Sequence, residues 1–284
     1  MKKEHRFDLF RLSLRQRKQI DILDALEPKS REEWILALFS RETRFRHHGT
    51  DFVYVALDPK GTYPYIVGKI GREVSEIENT PPEDGYREVI HDAWKAAVVV
   101  VDPREHGDGQ KLAIQYHQDV GTPSTLAPRL LQAMEEQQDW RPYLSSVHPI
   151  TNTEAFWDFV RRNKGKVTYI RFELEVPNMF GGDDEYDKEM QAYRDEENAQ
   201  KIAIEVKNPD GVDAETERVR FTAEKAMGQG TGNVKARAVG KRNNFSSQNQ
   251  QESARIPVET NRSQRPLIER AAEIADRILG RDKD

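Results

Sequence analysis

No apolar run in this chain is longer than six residues, and AAVVVV at Ala96–Val101 is one that reaches that length. A helix that spans a bilayer needs about 20 apolar residues, so the chain is expected to fold in water from short elements. The opening MKKEHRFDLF is basic but leads into no apolar stretch of a signal peptide. A soluble, cytoplasmic protein with no direct membrane insertion is the expectation. The sequence holds no cysteine. Disulfide scaffolds, thiolate metal sites and cysteine nucleophiles are thereby excluded, and a reducing compartment fits.

The short runs sort by period. RFDLFRLSLRQ places Phe7, Leu9, Leu12 and Leu14 near period 2, with a break at Phe10 and with Arg11 and Arg15 on the other side. That reads as a half-buried strand with a basic outer face. REEWILALFS reads as a short helix, with Ser30 as its N-cap and acids in its first turn. DFVYVALD and YPYIVGKIG are strands around the turn DPKGTY, and WKAAVVVVD and GDGQKLAIQYHQ are two more. TPSTLAPRLLQAMEEQQ is a helix interrupted or kinked near Pro128. These elements predict a small antiparallel sheet with helices on one face.

Near residue 150 the character changes. A helix rich in aromatics (Phe156, Trp157, Phe159), capped by Thr151 or Thr153, precedes the strand KVTYIRFELEVP. EYDKEMQAYRDEENAQ is helix-like, KIAIEVKN is a strand, and DAETERVRFTAEKAM is a helix that stops at Gly228. NVKARAVG is a strand whose expected antiparallel partner is SARIPVET. QRPLIERAAEIADRILG closes the chain as an amphipathic helix with Leu267, Ile268, Ala271, Ile274 and Ile278/Leu279 on one face. With 284 residues, two domains are the better prior. The expected fold is α+β, with domains at 1–150 and 151–284. Each is a small, mostly antiparallel sheet with packed helices, and the second carries a basic β-hairpin.

Net charge is −5, but the charges are sorted into blocks. Residues 1–20 carry seven Lys or Arg against Glu4 and Asp8, a balance of +5, and residues 218–265 carry ten against three Glu, a balance of +7. Residues 182–197 carry eight acids against Lys188 and Arg194, a balance of −6. A local face for a polyanion is compatible with the total. In NVKARAVGKR, Lys235 and Arg237 alternate with Val234, Ala236 and Ala238, so both point to one face of a strand. Lys241 and Arg242 extend that face, and the Asn/Ser/Gln tract at 243–251 reads as the hairpin tip. Such a ribbon can track a sugar–phosphate backbone; the competing reading is a solvated edge hairpin whose lysines prevent aggregation. Arg11 and Arg15 extend the patch if the domains pack that way. The acidic block shields this site or faces a protein partner.

Catalytic patterns are weak. None of the seven histidines lies in a two-His helical motif with a nearby Glu, so no metal and no cofactor is expected. Gly228, Gly230 and Gly232 follow a helix rather than opening one, which is the wrong order for a phosphate cradle. Gly230 and Gly232 are read as a mobile lead-in. The runner-up function is a metal-dependent nuclease using Glu205 and Lys207 with Glu173 or Glu175. A third class is a protein-binding adaptor that works through the acidic block.

The order KIAIEVKN, charged helix, GNVKARAVGKR, polar tip, SARIPVE and terminal helix resembles the RexA-type phage-exclusion proteins over about the last hundred residues. The resemblance implies a two-domain, homodimeric, non-catalytic protein of bacterial anti-phage defence. Such a protein binds DNA rather than RNA, without sequence specificity, and works with a membrane-protein partner. The residues that carry it here are Lys235, Arg237, Lys241 and Arg242.

Overall fold

The computed structural model describes residues 4–16, 30–57, 64–106, 109–139, 141–175, 201–228, 232–240, 244–257 and 267–281, with positions 188, 192, 193, 196, 197 and 199 between them. The fold is α+β, built from one large antiparallel sheet and a second, smaller one. Among the described residues no helix is long and apolar enough to cross a membrane.

The first sheet has eight strands. Along one path they run β12 (Ser253–Pro257), β1 (Glu4–Gln16), β6 (Gln110–Gln115), β5 (Glu88–Asp102), β4 (Ile66–Asn79), β3 (Thr50–Ala56) and β2 (Thr43–His47). The eighth strand, β7 (Tyr143–Pro149), joins β1 off that path. It shares an edge of β1 with β12, end to end. Residues 4–8 pair with β12 and residues 10–16 with β7. Leu9 stands at the handover, donating to the Glu252 carbonyl and accepting from the Ile150 N–H, both at 3.0 Å.

Both faces of this sheet are covered. Helices α1 (Arg31–Phe39) and α2 (Pro123–Glu136) pack on Phe10, Leu12, Leu14, Ala97, Val99 and Val101. Helices α5 (Leu267–Glu273) and α6 (Ala275–Leu279) pack on Phe7, Leu9, Val98 and Val100. Two covered faces leave no place for a polar alternation, which is why Ala96–Val101 is unbroken and why Phe10 interrupts the period of β1. The expectation of helices on one face only is corrected by α5 and α6. The final helix also divides, because Ile274 takes a non-helical conformation (φ −115°, ψ 17°).

Other local readings resolve in detail. Ser30 makes the capping box with Glu33: its Oγ accepts from the Glu33 N–H at 3.1 Å, and its own N–H donates to Glu33 Oε2 at 2.7 Å. Helix α2 runs through Pro128 as one element, without the expected interruption. The turn DPKGTY lies outside the described residues, although β3 and β4 pair as expected. Strands β4 and β5 run far beyond the sheet, pairing from Ile66↔Val101 to Asn79↔Glu88. A turn at Thr80–Arg87 closes the ribbon, with Gly85 left-handed at φ 74° and Tyr86 at φ 52°.

The second sheet has four strands in the order β11 (Asn244–Ser246), β10 (Gly232–Ala238), β8 (Val167–Glu175) and β9 (Lys201–Lys207). Its inner face packs Ile170, Phe172, Leu174, Val234 and Ala236 against α3 (Thr153–Arg162) and α4 (Glu217–Ala223), which continues as a wider turn to Gly228. Asn152, not Thr151 or Thr153, caps α3, accepting from the Glu154 N–H at 2.8 Å.

The expected pairing of 232–238 with 253–257 is not made. Strand β10 pairs with β8 and β11, while β12 crosses back to β1. Nor is the Asn/Ser/Gln tract a solvated tip. Phe245 sits in the core against Phe156 and Phe159, and buried Ser247 accepts from the Val234 N–H at 2.9 Å. Gln251 then donates to the Leu9 carbonyl at 3.1 Å, so the tract ties the second sheet to the first.

Candidate nucleic-acid interface

Alternation in three strands builds one open face on the second sheet. Phe172, Ile204 and Val234 turn inward; their neighbours turn out, and the register aligns these in rows. One row is Lys207, Tyr169, Arg237 and Asn244, crossing β9, β8, β10 and β11. The next is Glu205, Arg171, Lys235 and Ser246, and the third is Ala203, Glu173 and Asn233.

Arg171 is the hub of this face. Its Nη1 donates to Glu205 Oε1 at 2.9 Å, and its Nε lies 2.9 Å from Glu173 Oε1. Lys207 Nζ meets the other Glu205 oxygen at 2.5 Å, and the Tyr169 hydroxyl donates to Oε1 at 3.2 Å. The bond from Lys207, helped by Tyr169 and Arg171, holds the Glu205 carboxyl below the usual carboxylate range. The same bond raises Lys207. Lys235 stands 4.0 Å from Glu173. The Tyr169 ring is flanked by two cations, with Lys207 Nζ 5.4 Å and the Arg237 guanidinium carbon 5.7 Å from its centroid. The outward side chains therefore include four cations and two acids, a local balance of +2 inside a chain of −5.

Lys235 and Arg237 are placed on this face, as their alternation implied. Lys241 and Arg242 lie outside the described residues, as does most of the acidic block 182–197. Arg11 and Arg15 belong to the other sheet. Arg11 stands between Lys111 and His148 on the side of β1 that carries Phe7 and Leu9, so the basic outer face expected for that strand is the one α5 and α6 partly cover. Arg171 and Tyr169 were not singled out as site residues, yet their outward phase is legible in VTYIRFELE.

Glu205, Lys207 and Glu173 share the face, as a nuclease site would ask, and Glu175 pairs with Lys201 at the strand end. A guanidinium already holds the two carboxylates together, however, and a divalent ion would have to displace it. Among the described residues no three His, Asp or Glu side chains gather as a metal site.

Gly232 is not a mobile lead-in. It begins β10, where an added Cβ would fall 1.8 Å from the Glu173 carbonyl oxygen. The glycine permits the close approach that brings Lys235 and Arg237 alongside Arg171. Gly230 lies outside the described residues. No family model, curated protein or solved structure matches this chain.

Proposed function

We propose that the open face of the second sheet binds the sugar–phosphate backbone of nucleic acid, DNA first, without reading sequence. The observation that carries this is the convergence of Lys207, Arg171, Lys235 and Arg237 from three strands onto one exposed face around Tyr169. Phosphate recognition needs donors held in place, and Glu205 and Glu173 hold Arg171 and Lys207 in place. Tyr169 offers a ring on which an unpaired base can stack. On this reading the two sheets act as separate units, the first as scaffold and the second as reader. The defence setting and the membrane partner rest on the resemblance to phage-exclusion proteins alone.

Fluorescence anisotropy on a labelled duplex and a single strand of mixed sequence tests the proposal. Charge reversal at Lys235→Glu with Arg237→Glu is expected to weaken binding at least about tenfold, since each lost phosphate contact is replaced by repulsion. Wild-type protein that binds neither nucleic acid, or a variant that binds as tightly, sinks it. The same protein incubated with Mg²⁺ and plasmid checks the nuclease alternative. No cutting is expected; cleavage abolished by Glu205→Gln would replace the binding reading with a catalytic one.

A further inference from the structure

From Gly71↔Ala96 outward, β4 and β5 leave the sheet and continue as a two-stranded ribbon of nine residue pairs, ending at Asn79↔Glu88. β3 pairs with β4 only as far as Gly71, and β6 pairs with β5 only from Val99, so no neighbouring strand flanks the ribbon. A lone two-stranded ribbon is marginal in water unless something packs on it.

The two faces of the ribbon differ in charge. On one, Glu76 pairs with Lys95 and His91, and Arg72 donates from Nε to the Asp119 carbonyl at 2.5 Å. The other runs in the rows Glu73/Trp94, Ser75/Asp92, Ile77/Ile90 and Asn79/Glu88, with no Lys, Arg or His among them. Here Trp94, Ile77 and Ile90 are 60%, 62% and 67% exposed. With Val89 and Tyr86, the ribbon holds five of the ten large apolar side chains that the described residues leave exposed. Such a concentration marks a binding surface.

We infer that this face docks a basic amphipathic helix of a partner protein. Charge selects the partner. Glu73, Asp92 and Glu88 stand between and beside the three apolar side chains with no cation on their face, and residues 71–96 as a whole carry seven acids against three bases, a balance of −4. A polyanion or an anionic membrane is repelled there, and a second copy of the ribbon would set these acids against their own kind. A segment with Lys or Arg along the rim of an apolar stripe complements them.

Geometry selects the helix. At about 3.3 Å per residue, the Trp94 row stands roughly 13 Å from the Ile77/Ile90 row. Residues seven or eight apart on a helix are separated by about 11–12 Å, so one apolar stripe reaches both rows. Between them lies Asp92, which accepts from Ser75 Oγ at 2.9 Å and meets a cation placed midway on the same stripe. A two-stranded face is about 10 Å wide, the width of a single helix. The fold already uses this arrangement. Helices α5 and α6 cover the same face over Val67, Val98 and Val100, and their layer stops where the ribbon begins. A partner helix continues that layer. A face of about 30 Å by 10 Å buries about 600 Å² in total, which suits a reversible contact with one segment rather than a permanent complex.

Fluorescence anisotropy tests the docking with a labelled synthetic peptide of Leu and Lys, about 18 residues long so that it spans the face as a helix. Its leucines recur at i, i+3, i+4 and i+7; a control of the same composition spreads them around the helix. Wild-type protein should bind the first peptide and not the control. Ile77→Ser with Ile90→Ser should weaken binding at least about tenfold without changing the circular dichroism, because both side chains are exposed. Glu73→Gln, Glu88→Gln and Asp92→Asn together should weaken it and flatten its salt dependence. Glu78→Gln, Glu83→Gln and Asp84→Asn remove the same charge from the opposite face and the tip, and should leave binding unchanged. A wild type that ignores the amphipathic peptide, equal binding of the control, an unaffected serine variant, or equal losses from the two acid variants would overturn the inference.

Discussion

The two sheets bury charge differently, and the contrast separates what stabilises this molecule from what it offers a ligand. In the first sheet both faces are covered, and a charge that ends up inside is held on all sides. Asp102, fully buried at the end of β5, is 2.9 Å from Arg104 Nε, 2.8 Å from His106 Nε2 and 3.2 Å from Arg281 Nε. Arg281 is itself buried and donates to the Gly109 carbonyl at 2.8 Å, pinning the end of α6 to the sheet. In the second sheet one face is open, and Arg171 meets Glu173 and Glu205 at similar distances in contact with water. Similar ion pairs therefore do different work. The buried pair cannot be opened cheaply, whereas the exposed one is available for exchange with phosphate.

The largest effect expected from this contrast is at Asp102. Asp102→Ala leaves the buried guanidinium of Arg281 without its carboxylate and should cost about 3–5 kcal/mol in denaturant unfolding. A loss below about 1 kcal/mol would show that the two sheets hold their charges alike. Burial pushes the Asp102 carboxyl up, but the bonds and charge of Arg104, with His106, bring it below its ordinary value. A depressed carboxylate contributes stability in full above its unfolded value of about 3.9, and that contribution is lost as pH falls through the folded value. Stability should therefore decline below about pH 4, and Asp102→Asn should flatten the decline.

Next comes Gly232→Ala, whose Cβ has no room beside the Glu173 carbonyl. It should destabilise by about 1–3 kcal/mol and weaken DNA binding, because β10 must move off β8. Unchanged melting would mean that this approach is looser than the register indicates. Smallest in stability is Arg171→Ala, expected to leave the unfolding midpoint nearly unchanged because its ion pairs are exposed. Its effect on DNA affinity should be clear, since Glu173 and Glu205 lose the cation between them. Equal losses of stability and affinity would erase the distinction between the sheets.

Local chemistry was legible in the sequence where it is local in space. Ser30 and Glu33 announce their capping box, and VTYIRFELE and NVKARA announce their outward faces. What the sequence hides is long-range. SARIPVET is recognisably a strand, but nothing in its pattern distinguishes β1 as its partner from β10, and only the assembled fold brings Ile256 into the core beside Phe7. The long extension of β4 and β5 escaped because Val74 and Ile77 fall on opposite faces, so neither face shows an apolar period. Gly232 looked like one of two flexible glycines, since the carbonyl that excludes a side chain there belongs to a strand about sixty residues away. Arg171 went unread because its role depends on Glu205, a cross-strand neighbour.

The central claim is that the open sheet face meets phosphates through its cations, and the salt dependence of DNA binding tests it most directly. Each backbone contact adds about 0.9 to the slope of log K against log salt on a duplex. With Arg171, Lys207, Lys235 and Arg237 engaged, wild-type protein should show a slope of roughly 3 to 4, and Lys235→Ala with Arg237→Ala should lower it by about 2. An unchanged slope in that variant, or a wild-type slope near zero, would contradict the account.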